Sequence, residues 1–321
     1  MIKAQIDKEL DKYLQTLEED KLRIFTMADG RVRGALFHGT RFVNQIRAQH
    51  KLGILETYIL GQASLCAALT IPMMKDKEHL AIKFEGDGPA QGYCIEADST
   101  GYVRGYRFNE NIALEKPLES WDLKPFLGGG TLSFSRAHKD DKLPQMSSVY
   151  ADNGNIAKDF ASYFAQSEQI NTAFNSSIQF DKNGNVTGAG AMYLQIMPKT
   201  GGTKILGSQL DSHVEETEED KILLQKIENA FTACPSLGLL YSEKEVDSED
   251  IILGLFREFN PLITMKRDIV FDCPCNKEFF INHIRNLPKD QLDDIKKNGP
   301  NPLEITCRNC GSVYKIDTGE L

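Results

Sequence analysis

The sequence predicts an α/β chain, more narrowly α+β, in three parts. An N-terminal domain of mainly antiparallel sheet with helices spans 1–198, a helical linker 199–268, and a small module 269–321. Three observations carry this division. Short apolar runs separated by glycine-containing turns dominate the first part, with four helical stretches among them. Composition shifts after Pro198 to a Gly/Thr/Ser-rich link, an acidic run and amphipathic segments. Four of the seven cysteines then fall beyond residue 272.

Taken in order, Leu10, Tyr13, Leu14 and Leu17 have helical spacing within 5–20. Leu22 to Ala28 reads as a strand, Asp29-Gly30 as a tight turn and Arg31 to Phe37 as the returning strand. Helices follow at Thr40 to His50 and Leu55 to Thr70. The apolar stretch Tyr58 to Met74 contains Gly61, Gln62, Ser64 and Pro72, so a buried helix fits it better than a bilayer span. A meander comes next, with strands at Leu80–Glu85, Ala90–Ala97 and Tyr102–Phe108. Gly128-Gly129-Gly130 lacks the Lys-Ser/Thr ending of a phosphate loop and reads as a bend before the strand Thr131–Arg136. Residues 155–168 form an amphipathic helix, and the strands Ser177–Phe180 and Ala189–Met197 close the domain through Asn183-Gly184-Asn185. No bidentate Glu follows Asp181 at the spacing of a calcium loop, so that turn is a hairpin.

In the linker, Glu215-Glu216-Thr217-Glu218-Glu219-Asp220 suits a helix start, where carboxylates meet the positive dipole end. Ile222, Leu223, Ile227 and Phe231, then Ile251, Ile252, Leu255 and Phe256, mark amphipathic helices too short for a core of their own. They must pack on a neighbour.

The chain has 321 residues, 41% of them hydrophobic, and a net charge of -9. That charge argues against a general nucleic-acid binder, which needs a basic face for phosphates. The N-terminus soon becomes a charged amphipathic helix rather than a signal sequence, so a cytoplasmic protein with no membrane partner is expected. No Gly-x-Ser-x-Gly elbow, His-Glu-x-x-His pair or paired-acid site is present, so catalytic residues are not expected and the protein is read as a non-enzyme. Cys66, Cys94 and Cys234 lie in apolar or strand contexts and read as inert buried thiols.

The remaining cysteines form two pairs, Cys273-Pro274-Cys275 and Cys307-Arg308-Asn309-Cys310. Two thiolates from one turn and two from another complete the tetrahedral four-sulfur coordination suited to Zn2+. Gly311 turns the chain and Val313 and Tyr314 leave it as a strand, the pattern of a zinc knuckle. Two disulfides in an exported domain would use the same residues, but no distributed disulfide framework accompanies them. His283 is an alternative ligand, redundant beside four sulfurs. Between the pairs, Phe279, Phe280, Ile284 and Leu287, then Leu292 and Ile295, suffice for two short helices. So small a module depends on its metal for on the order of 10 kcal/mol of folding free energy. Thiolate ligands are also what peroxide attacks, so oxidation could release the metal and melt the module together.

These residues resemble the redox-regulated heat shock protein 33 chaperones. The resemblance rests on Cys273-Pro-Cys275-Asn-Lys-Glu278, Cys307-x-x-Cys310-Gly311 with Tyr314, Glu85-Gly-Asp-Gly-Pro89, Asp159-x-x-x-Tyr163-Phe164 with Ser167-Glu168-Gln169, Gly190-Ala-Met-Tyr-Leu-Gln195-Ile-Met-Pro198 and Asp29-Gly-Arg-Val-Arg33. It covers essentially the whole chain, and Pro274 between the first two ligands is a departure that stiffens their chelate. The resemblance implies an ATP-independent holdase, inactive while reduced and zinc-bound. Oxidation would pair Cys273 with Cys275 and Cys307 with Cys310, zinc would leave, and the linker would unfold to bind unfolding client proteins, the active form being a homodimer. Two other readings compete: a zinc ribbon that binds nucleic acid or protein, and an enzyme with a structural zinc tail.

Overall fold

The structure is a computed structural model and describes residues 1–112, 120–197 and 217–321. Pro198, the Gly/Thr/Ser-rich link and the first two residues of the acidic run lie outside the described residues.

The short helix α1 (Lys8–Leu14) opens the chain and is half the expected length. Asp7 caps it, accepting from Glu9 N and Leu10 N. Further along, Glu18 and Asp20 leave the helical pattern to serve other elements. Asp20 accepts from Arg41 N and Phe42 N, so it caps a helix twenty residues away.

Two antiparallel sheets follow from the alternating strands. One has five strands in the order β10-β1-β2-β9-β8: β1 (Leu22–Met27), β2 (Val32–His38), β8 (Thr172–Phe180), β9 (Val186–Ile196) and β10 (Leu262–Arg267). The other runs β11-β5-β4-β3-β6-β7: β3 (Glu78–Gly86), β4 (Gly92–Asp98), β5 (Tyr102–Arg107), β6 (Gly130–His138), β7 (Gln145–Ala151) and β11 (Val270–Phe271). All pairings in these sheets are antiparallel except β11 on β5.

Helices α2 (Thr40–His50) and α3 (Ile54–Thr70) sit in the interior, and α3 touches β4 and β5 on one side and β2, β8 and β9 on the other. This explains the all-round apolarity of α3. The stretch Ile54–Met73 is long and apolar enough to cross a bilayer, yet 83% of its most apolar window is buried inside the fold. The short α4 (Lys124–Leu127) leads into β6, and α5 (Ile156–Tyr163) packs on β8 and α3.

The linker contributes α6 (Glu218–Thr232), α7 (Leu237–Leu240) and α8 (Ser248–Phe256). Thr217 and Asp220 form a capping box at the start of α6, as the acidic run predicts. The three helices cover the outer face of the five-stranded sheet. Alternation makes that possible: Phe25, Met27, Val32, Leu36, Met192 and Leu194 face the linker, whereas Leu22, Ala35, Phe37, Ala191 and Tyr193 face α2 and α3. Gly190 is required here, because a Cβ would stand 2.5 Å from the Tyr241 ring.

Among the strands that the sequence reading lacks, two have a clear physical reason. Leu262–Arg267 falls inside the stretch read as helical linker, yet it is β10, an edge strand paired to β1. β7 is polar and exposed on much of both faces, so it lacks the apolar signal by which strands are found.

The C-terminal module holds α9 (Lys277–Arg285), α10 (Lys289–Asn298) and the hairpin β12 (Leu303–Thr306) with β13 (Val313–Ile316). Its private core is small: Ile281, Ile284 and Ile316 are buried, with Leu292, Ile295 and Leu303 packed around them.

Candidate metal centre

Cys273 and Cys275 follow β11 directly, and Cys307 and Cys310 occupy the turn between β12 and β13. Cys310 N and Gly311 N both bond to Cys307 O, at 3.3 and 2.7 Å, which curls the second turn around its sulfurs. Gly311 has φ +67, as the knuckle reading requires. Side-chain bulk is excluded there for a second reason: a Cβ would lie 2.5 Å from Gln49 O at the end of α2.

All four cysteines are buried, and their sulfurs lie within 4.8 Å of one another. Cys273 Sγ is 3.8 Å from Cys307 Sγ, and Cys275 Sγ is 3.4 Å from Cys310 Sγ. A tetrahedron of Zn–S bonds near 2.3 Å has edges of about 3.8 Å, so the spacing fits that ion. Without a cation the four cannot all ionise. The thiols of Cys307 and Cys310 hold Cys273 as the thiolate, that thiolate pushes Cys307 the other way, and burial pushes Cys275 up to about 11. A divalent ion would neutralise this repulsion and keep all four as thiolates.

Polar groups crowd the sulfurs. Tyr314 donates its hydroxyl to Cys275 O (2.8 Å) and places it 3.3 Å from Cys275 Sγ. Ser312 Oγ is 3.2 Å from Cys310 Sγ. The N-terminal segment crosses the site: Met1 N donates to Cys273 O at 2.8 Å, and Ile2 N to Ser312 Oγ at 3.1 Å. Gln49 ties the segment down, donating to Ile2 O (2.7 Å) and Ser312 Oγ (3.1 Å). The module is therefore seated on the N-terminal domain, a docking that cysteine spacing could not reveal.

The other candidates lie apart. His283 donates from Nδ1 to Phe279 O at 2.8 Å and stands outside the sulfur cluster. Cys66 is buried in α3 and its thiol is pushed up to about 12. Cys94 and Cys234 are only half-buried, though burial raises both, Cys234 to about 11. Such thiols are poor nucleophiles at neutral pH.

The family model described as Hsp33 protein matches residues 20–317. The 33 kDa chaperonin of Thermotoga maritima is 31% identical over 299 residues, spanning 92% of this chain and 94% of its own length. That of Prochlorococcus marinus is 30% identical over 319 residues, spanning 94% and 97%. The crystal structure of the Thermotoga maritima 33 kDa chaperonin (heat shock protein 33 homolog) matches this fold with a TM-score of 0.78 at 29% identity, covering 94% of this chain and 96% of that one. With two largely antiparallel sheets on either side of α3, a cysteine-bearing module and relatives matched over nearly their full length, the chain belongs to the Hsp33 family of chaperones.

Proposed function

We propose that the protein is an oxidation-activated, ATP-independent holdase with a four-cysteine Zn2+ switch. In the reduced form Cys273, Cys275, Cys307 and Cys310 hold one Zn2+. The observation that carries this reading is the buried set of four sulfurs within 4.8 Å. Oxidation pairs Cys273 with Cys275 and Cys307 with Cys310, and zinc leaves. Module 269–321, whose private core is three isoleucines and their neighbours, then has too little apolar burial to stay folded. Linker 199–268 loses support and uncovers the apolar outer face of the sheet in domain 1–198. Phe25, Met27, Val32 and Leu36 on the sheet, with Ile227, Phe231 and Phe256 on the linker, are the surface freed for unfolding clients. The activated form is a homodimer, and the compartment is the cytoplasm, where thiolates persist.

The test follows zinc release, disulfide mapping, particle mass and suppression of client aggregation together, before and after peroxide. Zinc loss with the two proposed disulfides, dimerisation and new client protection, all reversed by reductant, is the expected result. Zinc loss with no gain in client protection would leave an inert structural zinc module.

A further inference from the structure

One hydrogen-bond donor to the sulfurs comes from the N-terminal sheet. Arg104 on β5 places Nη1 3.4 Å from Cys273 Sγ. Its Nε and Nη2 are both held by Glu96 Oε2 on β4, at 2.7 and 2.5 Å, the two residues being directly opposed across the strands. The second Glu96 oxygen accepts from Asn309 Nδ2 at 3.4 Å, and Gly105 N donates to Asn309 O at 3.2 Å. Cys273 belongs to the first cysteine turn and Asn309 to the second. A single cross-strand ion pair therefore reaches both halves of the site. With side chains 26% and 19% exposed, it is less screened than a surface pair. A cleft of about 430 Å³, lined by His79, Tyr102 and Pro274 among others, opens over it.

We infer that Arg104 is a positioning residue for the metal centre: clamped by Glu96, it donates to the Cys273 thiolate and makes metal affinity and sulfur reactivity depend on docking of the module. This rests on the four-cysteine reading above. Four thiolates around Zn2+ leave a net negative charge that a guanidinium offsets, and an N–H···S bond withdraws density from the sulfur, lowering its reactivity toward oxidant. Undocking removes that donor, so a partly released module presents a more reactive Cys273. Oxidation and undocking thereby reinforce one another.

The experiment uses the full chain loaded with cobalt(II), whose sulfur-to-metal charge-transfer band reports on the thiolates, and compares Arg104→Met, Arg104→Lys, Glu96→Gln and Arg308→Ala. Arg308 stacks on Tyr106 at 4.2 Å, so its loss removes another contact between the module and β5 while leaving Arg104 on Cys273. Arg104→Met is expected to shift the band, weaken metal binding about tenfold in chelator competition and speed peroxide-driven metal release. Arg104→Lys should recover part of each effect, Glu96→Gln should give a smaller shift, and Arg308→Ala should leave the band in place. The inference is overturned if Arg104→Met leaves band and affinity unchanged, or if it matches Arg308→Ala in both. Wild-type protein that shows no four-sulfur cobalt spectrum would overturn the metal reading itself, a distinct outcome that removes this inference with it.

Discussion

His38 lies flat on Tyr241, with ring centroids 4.1 Å apart and planes 10° from parallel. His38 ends β2 and Tyr241 follows α7, so this stack joins the sheet to the linker. Tyr241 donates to Ser248 Oγ (2.8 Å), Ser248 donates to Glu18 Oε2 (2.7 Å), and Glu18 pairs with Arg23. A buried polar chain thus runs beneath an otherwise apolar contact. Such a chain is stable only while every member keeps its partner.

Truncating Tyr241 should detach the linker. Tyr241→Ala removes a fully buried ring and is expected to cost about 3 kcal/mol or more of linker docking. Tyr241→Phe keeps the ring but leaves Ser248 without its donor, at about 1 kcal/mol. Limited proteolysis within 217–260 should follow that order. Reduced Tyr241→Ala protein should already suppress client aggregation, and equal resistance of both variants to protease would contradict the assignment.

Acid should loosen the same contact. Burial, helped by Arg23 and Arg41, pushes His38 down to about 3 from an ordinary 6.5. The docked form therefore keeps the ring neutral, whereas the released form takes up a proton below about 6.5. Stability from this group is present above pH 6.5 and is lost as the pH falls toward 3, at about 1.4 kcal/mol per unit. Glu18, 3.7 Å from the ring, opposes this, since burial raises its carboxyl and favours its protonation in the fold. Comparing wild type with His38→Gln isolates the histidine. Hydrogen exchange between pH 7.5 and 5 should show linker protection falling more steeply in the wild type, and identical slopes would rule out His38.

Gly190→Ala offers a second route to release. Its Cβ would meet the Tyr241 ring at 2.5 Å, and overpacking of this kind costs about 1–3 kcal/mol. Denaturant unfolding should show the linker helices melting before the sheets, with protease cutting the linker in the reduced state. A single unshifted transition would mean that the ring yields at no cost.

Removing the metal should unfold the last fifty residues and leave the rest standing. Cys310→Ser, or a strong chelator acting on the wild type, should abolish stoichiometric zinc and the helical signal of α9 and α10. Elemental analysis with circular dichroism reads both. A module that stays folded without metal would contradict a contribution on the order of 10 kcal/mol.

Much of this was legible in the chain because local chemistry wrote it. The two cysteine pairs and Gly311 mark the sulfur turns, and Thr40–His50 and Ile54–Thr70 declare themselves by apolar content and flanking glycines. The same approach missed β10, where Leu262, Thr264 and Lys266 alternate with Ile263 and Met265 on an edge that borrows its partner from residues 240 positions away. It also missed Arg104, Glu96 and Gln49. Their roles arise from which surfaces meet, and neither periodicity nor spacing records that.

The path from the linker to the sulfurs is short. β10 ends at Arg267 on one sheet, β11 begins at Val270 on the other, and Cys273 comes two residues after Phe271. Six residues span at most about 20 Å even when fully extended. This is a splice rather than a leash: the chain has no slack in which the module could swing free while the sheets kept their seams. A disturbance at Cys273 is passed first to the β11–β5 seam and then to the β10–β1 seam, so the signal can travel along the backbone itself.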